Sequence, residues 1–391
     1  MVVADDHMML GREVVIVDAV RTAIGRGHPE KGAFRDTHPA DMLGSCYRAV
    51  LERSGVNPRL VGDVVTGCVQ QIGEQSYGIA RTAWLQEGLP VETAATVIER
   101  QCGSGQQAVN LGAGQVALGI HDVVIGAGVE HMGHIPIDAS ERVQASYGKA
   151  FTPKLFDHHA IVGRGLGAEL LADEYGISRV AMEELAVRSH RLAHRAAEDG
   201  DFGREVVEVA GVSRDQGIRP QTTPEGLAEL KPVFKPDGRI TAGTSSQISD
   251  GAAAVLLMSR DSAEAYGTRP RARIVDQIAV GCDPVKMLEG PIPVTLKLLE
   301  RNRMTLDDID LFEINEAFAP VVLAWRDELG ADLDRVNVRG GAIALGHPLG
   351  CTGARLITTL LHTLEDRDLE LGIVAMCCGG GLGTGTLIQR L

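Results

Sequence analysis

Apolar residues in this chain fall into short strand-like runs separated by longer helical patterns, and the runs come in similar pairs. Near the start, EVVIVDAVRTAIG reads as a strand ending in a polar turn, and RARIVDQIAVG repeats it, with Ile16 against Ile274 at an offset of 258 residues. NPRLVGDVVTGCVQQ resembles TLDDIDLFEINEAFA, each a polar lead-in to a strand, with Val64 against Leu311 at an offset of 247. The strand HDVVIGAGVE resembles LGIVAMCCGG, with His121 against Leu371 at an offset of 250. A glycine-opened helix precedes each of this last pair: CGSGQQAVNLGAGQVAL in the first half and GCTGARLITTLLHTL in the second. Three ordered matches at nearly one offset predict a duplicated α/β unit, each copy a mostly buried sheet with helices on its faces. The run SDGAAAVLLMS at 249–259 completes the first copy.

Residues 131–245 have no counterpart in the second copy. They carry two amphipathic helix patterns, GLGAELLADEYG and AMEELAVRSHRLAHRAAEDG, and end in the proline-rich LKPVFKPDGR. The chain therefore divides into a first half at 11–130 plus 246–265, an inserted loop domain at 131–245 that builds a substrate pocket, and a second half at 266–391.

Composition narrows the classes. A chain of 391 residues, 44% hydrophobic and 23% charged, is of globular type and long enough for two to three domain-sized units. With 4% aromatics and 47 glycines, packing falls to Ala, Val, Leu and Ile. No apolar run approaches the ~20 residues of a membrane helix, and the acidic opening MVVADDHMML lacks a basic n-region, so neither a membrane span nor a secretory signal is expected. The net charge of −14 speaks against a nucleic-acid partner, because phosphate rewards a basic face. Seven cysteines without zinc-finger spacing read as reduced thiols of a cytoplasmic protein, with no metal site.

Four motifs carry candidate chemistry. Cys102 stands at the doorway of a helix with Gly103 and Gly105 just after it, where backbone N–H groups lower a thiol's pKa and later hold an oxyanion. Asn315 opens NEAFA at the carboxyl end of a strand, where open α/β sheets place their ligands. His347 sits in GGAIALGHPLGCTG, where an imidazole can donate to a developing negative oxygen. Cys377 and Cys378 end a strand, and a thiol there can move protons if its pKa is tuned towards neutrality.

Together these motifs resemble those of the thiolase family, over essentially the whole chain: CGSG at 102–105, SSQISDGAAAV at 245–255, NEAFA at 315–319, GGAIALGHPLGCTGAR at 340–355 and CCGGG at 377–381. The resemblance implies a five-layered α/β/α/β/α sandwich of two duplicated halves with an inserted loop domain. It implies CoA-dependent thiolytic cleavage of 3-ketoacyl-CoA, or the reverse Claisen condensation, with CoA and acyl-CoA as substrates, no metal, no separate cofactor, and a homodimer or homotetramer. By motif, Cys102 is the acyl-accepting nucleophile and Cys377 the proton donor and acceptor. His347, with a water held by Asn315, forms the enolate oxyanion site and helps activate Cys102. The N–H groups of Cys102 and Gly379 hold the tetrahedral oxyanion. Ser246, Arg219 and Phe318 contact CoA and the acyl group.

Three positions depart from the family's pattern. Gly103 replaces a common Ala or Ser, Cys378 replaces Ile, Val or Ala, and Gly163-Arg164-Gly165 stand where several thiolases carry His-Met-Gly. The spelling CGSGQQ is similar to thiolases of sterol side-chain breakdown, which implies a bulky acyl group, while the direction of the reaction stays open. Two alternatives remain open at this point: a β-ketoacyl synthase-like condensing enzyme, and a catalytically silent lipid-binding protein on the same fold.

Overall fold

Long runs of Val, Ile, Leu and Ala form strands that are buried on both faces, as a sheet covered by helices on each side requires. In the computed structural model, which describes residues 11–391, the strands are β1 (Val14–Thr22), β2 (Gly25–Arg26), β3 (Asp63–Gly67), β4 (Ala94–Ile98), β5 (Val123–His131), β6 (Val206–Val207), β7 (Ser249–Ser259), β8 (Ala272–Gly281), β9 (Leu311–Ile314), β10 (Leu371–Cys378) and β11 (Leu382–Arg390). The opening decapeptide, read above as lacking a secretory signal, lies outside the described residues.

The spatial order β4-β3-β5-β7-β1-β8-β11-β10-β9 makes the duplication plain. On one side β3 and β5 are parallel, then β7 and β1 add antiparallel. On the other side β9 and β10 are parallel, then β11 and β8 add antiparallel. The halves meet at β1 and β8 through the pairs Val15↔Arg273 and Ile16↔Ala272. The counterpart of β4 in the second half is the parallel bridge Phe312↔Val336.

The ladder corrects one of the sequence matches. Val64 pairs with Ile125, and its counterpart Leu311 pairs with Gly372. The third match therefore keeps the offset of 247 and does not drift to 250. A three-residue slip would have put every side chain of β10 on the wrong face.

The helices are α1 (Pro39–Ser54), α2 (Ile79–Gln86), α3 (Ser104–Ala117), α4 (Ala139–Arg142), α5 (Gln144–Tyr147), α6 (Pro153–Phe156), α7 (Arg164–Glu174), α8 (Arg179–Glu198), α9 (Pro224–Ala228), α10 (Arg260–Ala265), α11 (Pro291–Arg301), α12 (Ala319–Leu329), α13 (Ala342–Leu345) and α14 (Leu349–Asp366). Three apolar cores separate five layers. Val15 and Val17 pack outward on Met42, Leu43 and Trp84 of α1 and α2. Val14 and Ile16 point inward, with Val109 and Val116 of α3, Leu356 and Leu360 of α14, and Val374 and Met376 of β10. Ile373 and Ala375 face the third core, with Leu298 of α11 and Trp325 of α12. Sandwiched α3 and α14 thus belong to both halves. The inserted region carries α4 to α9, and it also returns to the sheet: β6 runs parallel to β1 at Arg21↔Val206 and Thr22↔Val207, an excursion that two residues are too few to announce. No helix among the described residues is long and apolar enough to cross a membrane.

Candidate active site

The N-terminal ends of the two central helices abut without side chains between them. A Cβ on Gly105 would lie 2.5 Å from the Gly350 carbonyl oxygen, and one on Gly353 would lie 2.2 Å from the Gln106 nitrogen. This approach brings the residues before each helix, Cys102 and His347, to one place. Glu130 at the end of β5 fixes the junction, its carboxylate accepting from the backbone N–H groups of Val69, Gln70 and Gly350 and from Gln75 Nε2. Gln106 and Asn110, one turn apart on α3, tie that helix to the second half through Thr384, Thr386 and the carbonyls of Val374 and Gly385.

Cys102 follows Gln101, a non-glycine residue held at φ +48°, and precedes the N-cap Gly103. Its thiol is buried and faces the N–H groups of Gly379 and of Cys102 itself, the two donors assigned to the tetrahedral oxyanion. The expected lowering of its pKa does not occur. Burial outweighs the Arg164 charge and the two N–H donors, and the thiol is pushed up from its ordinary value. Cys102 therefore rests as a thiol and needs a base.

His347 is buried, and its protonation can be read from its neighbours. Nδ1 lies 2.6 Å from Thr352 Oγ1, whose own proton goes to the Pro348 carbonyl at 2.9 Å. That hydroxyl must accept, so Nδ1 carries the ring proton and Nε2 presents a lone pair. Asn315 Nδ2 stands 3.4 Å from Nε2, and Asn315 Oδ1 is buried without a protein partner. Burial first, then the charges of Arg355 and Arg164, hold the imidazole pKa down at about 3, so the ring is neutral.

Cys377 and Cys378 end β10 on alternate faces: Cys377 packs in the outer core, Cys378 in the central core with Cys102. Cys102 is near enough to oppose the ionisation of both. Contrary to the expected tuning towards neutrality, the Cys377 thiol is pushed well up, by burial and then by Cys102. Two departures from the family pattern touch each other here. A Cβ at Gly103 would come within 2.6 Å of Cys378 Sγ and 2.8 Å of Thr384 Oγ1, so the Cys378 sulfur occupies the space that a side chain at 103 would need.

Ser246, Phe318 and Arg219 form one wall. The Ser246 N–H donates to the Ala317 carbonyl, Ser245 bridges Phe318, and Phe318 meets Phe234 edge to face at 5.6 Å. Arg219 Nη2 donates to Gln247 Oε1, and Gln247 Nε2 donates to the carbonyls of Gly217, Ile343 and Ala344. The His347 N–H in turn donates to the Gln247 carbonyl, which links this wall to the imidazole. Gln247 and Thr352 are the positioning residues that sequence reasoning missed. Both lie inside motifs quoted for other members, and only the folded contacts reveal them. Among the described residues no cluster of three or more His, Cys, Asp or Glu is arranged to hold a metal.

Known proteins resemble this chain over nearly its whole length. The family models described as "Thiolase, N-terminal domain" and "Thiolase, C-terminal domain" match residues 14–261 and 268–390. The chain is 44% identical to a 3-ketoacyl-CoA thiolase of Aeromonas hydrophila, over 97% of this chain and 100% of that one. It is 43% identical to the steroid 3-ketoacyl-CoA thiolase FadA6 of Mycobacterium tuberculosis, over 97% and 94%. The structure of human mitochondrial 3-ketoacyl-CoA thiolase in complex with CoA superposes with a TM-score of 0.90 at 35% identity, covering 99% of this chain and 100% of that one.

Proposed function

The chain belongs to the thiolase family, and on that premise we propose that Cys102 carries the acyl group in CoA-dependent thiolysis of 3-ketoacyl-CoA. The products are acetyl-CoA or propionyl-CoA and a shortened acyl-CoA, and the reverse Claisen condensation uses the same intermediate. The observation that carries this reading is the resting state of the three reactive groups: a protonated thiol at Cys102, a lone pair on His347 Nε2 and a second protonated thiol at Cys377.

Each step follows from those forms. Nε2 takes the Cys102 proton as sulfur attacks the β-carbonyl, and the N–H groups of Cys102 and Gly379 receive the oxyanion. The proton now on Nε2 becomes the donor to the thioester oxygen when the Cα–Cβ bond breaks and an enolate forms. Asn315 completes that enolate site through its unpartnered Oδ1 and a held water. Cys377 then protonates the enolate carbon. Its raised pKa suits both halves of the cycle: it stays a thiol until the enolate forms, and its thiolate is basic enough to deprotonate incoming CoA-SH. That CoA attacks acyl-Cys102 and frees the enzyme. Ser246, Arg219 and Phe318 would line the CoA and acyl path. These groups supply nucleophile, acid, base and both oxyanion sites, so the proposal includes no metal and no cofactor beyond CoA as substrate.

The condensing-synthase and silent-carrier alternatives are not favoured, since the matched models and relatives are thiolases. A fatty or steroid acyl group, a degradative direction, a cytoplasmic setting for the seven free thiols and a homo-oligomer complete the proposal. Cys102→Ser tests it: thiolysis of acetoacetyl-CoA should vanish, no acyl adduct should appear by mass spectrometry, and CoA should still bind by calorimetry. Turnover in that variant would remove the nucleophile assignment.

A further inference from the structure

Arg164 is the first residue of α7, in the inserted region, flanked by Gly163 and Gly165. The backbone at Gly165 lies flat on the Phe234 ring, where an added Cβ would approach to 2.0 Å, and Phe234 in turn meets Phe318. The helix start is thereby seated on the wall that flanks the reacting groups. The Arg164 charge reaches both Cys102 and His347, so the guanidinium lies within electrostatic range of the two.

That guanidinium is half-buried, and among the described residues no carboxylate pairs with it. The fully buried Arg21, Arg339 and Arg355 each have one, from Glu205 and Asp215, from Asp366 and from Glu313, and Arg271 has Glu365. Withdrawing a cation from water without a counter-charge is unfavourable. The thiol chemistry does not account for it, because Cys102 remains a thiol despite Arg164, and the same charge makes His347 a weaker base.

We propose that Arg164 pairs with a carboxylate on the acyl part of the substrate, so that this enzyme acts on 3-ketoacyl-CoAs whose acyl chain ends in a carboxylate. The inference rests on the thiolase reading above. The phosphates of CoA are the other anions at hand. They lie at the far end of the pantetheine arm from the sulfur exchanged at Cys102, which favours the acyl carboxylate as partner. The bond is an ion pair only, and thiolysis proceeds unchanged: CoA sulfur bonds to the acyl carbonyl, the Cα–Cβ bond breaks, and the CoA-SH proton ends on the acetyl methyl.

The test uses the purified full chain and two matched pairs: the CoA monothioesters of 3-oxohexanedioic and 3-oxo-octanedioic acid against 3-oxohexanoyl-CoA and 3-oxo-octanoyl-CoA. We expect kcat/KM to favour the carboxylate-ended member of at least one pair by about tenfold or more, since a site built around a charge rejects the analogue lacking its partner. In Arg164→Met that ratio should fall to near one or invert, while Arg164→Lys should retain part of it. A preference for the methyl-ended member at both lengths overturns the proposal. So does an unchanged ratio in Arg164→Met, whether both substrates slow equally, as for a purely electrostatic aid to Cys102, or KM for CoA rises, as for a phosphate contact. Cleavage of neither class by the unmodified chain would instead remove the thiolase reading itself.

Discussion

In the proposed mechanism the tautomer of one imidazole decides how Cys102 is activated. Thr352 fixes that tautomer by accepting from His347 Nδ1 while donating to Pro348, so Nε2 is free to take a proton. Thr352→Val removes the acceptor and lets the ring adopt the form that cannot act as base. We predict a fall in kcat of about 10²-fold, the scale of positioned general-base catalysis, with recovery in Thr352→Ser. Alkylation of Cys102 by iodoacetamide should slow in parallel, whereas KM should move little. Equal loss in both variants would mark a packing role instead. The candidates Cys102, His347 and Cys377 stand out in the sequence because each lies in a glycine-rich motif at a helix or strand end. Their ionisation does not. A helix N-terminus was expected to lower the Cys102 pKa, but burial is a property of the whole assembled core and it reverses the sign. Thr352 was illegible for a similar reason: its role depends on a ring that folds back over the first turn of α14.

At the scale of elements, the closeness of α3 to α14 depends on glycines that differ in what surrounds them. A Cβ at Gly105 meets the Gly350 carbonyl at 2.5 Å, whereas one at Gly114, farther along α3, finds only Gln277 Nε2 at 4.0 Å. Gly105→Ala should force the helices apart and cost about 1–3 kcal/mol, with loss of activity. Gly114→Ala should stabilise by about 0.5–1 kcal/mol through helix propensity alone. Denaturant unfolding of both variants checks the pair, and equal shifts would show that the crossing is not the constraint. The contact between β9 and α14 has its own pH signature. Glu313 is buried 3.8 Å from Arg355, yet burial outweighs that charge and pushes its carboxyl up to about 8. A folded pKa above the ordinary 4.5 means that its contribution is full below that value and is lost as pH rises through 8. Asp250, pushed up to about 7 by burial, acts in the same direction. Melting temperature should therefore fall over that range, and less steeply in Glu313→Gln. Most of these elements were readable from apolar runs and paired offsets. The two-residue β6, the short α13 and the register of β10 were not, because long-range pairing sets them and no local period reveals them.

Seen whole, the sheet closes one end and leaves the other open. At the second half's end the strand after β9 is reduced to one bridge, but at the first half's end β4 is a full strand with Ala94 and Thr96 exposed. Tyr77, Leu85 and Val91, the first of them 99% exposed, project from the segments next to it. An unpaired strand edge bordered by apolar side chains is a template for another chain unless something blunts it, and no charged residue interrupts AATVI. A second copy meeting this edge across a two-fold axis would pair β4 with β4 and cover the flanking side chains on both. The strand itself carries no charge to repel its copy, so the −14 charge of the whole chain is not concentrated on β4. The particle mass in sedimentation equilibrium should then be a whole multiple of 41.6 kDa. Thr96→Glu sets like charges opposite each other across the axis and should shift the mass towards the single-chain value, without changing the far-ultraviolet dichroism. An unmodified chain that sediments at the single-chain mass across the micromolar range would show that the open edge is not an assembly surface.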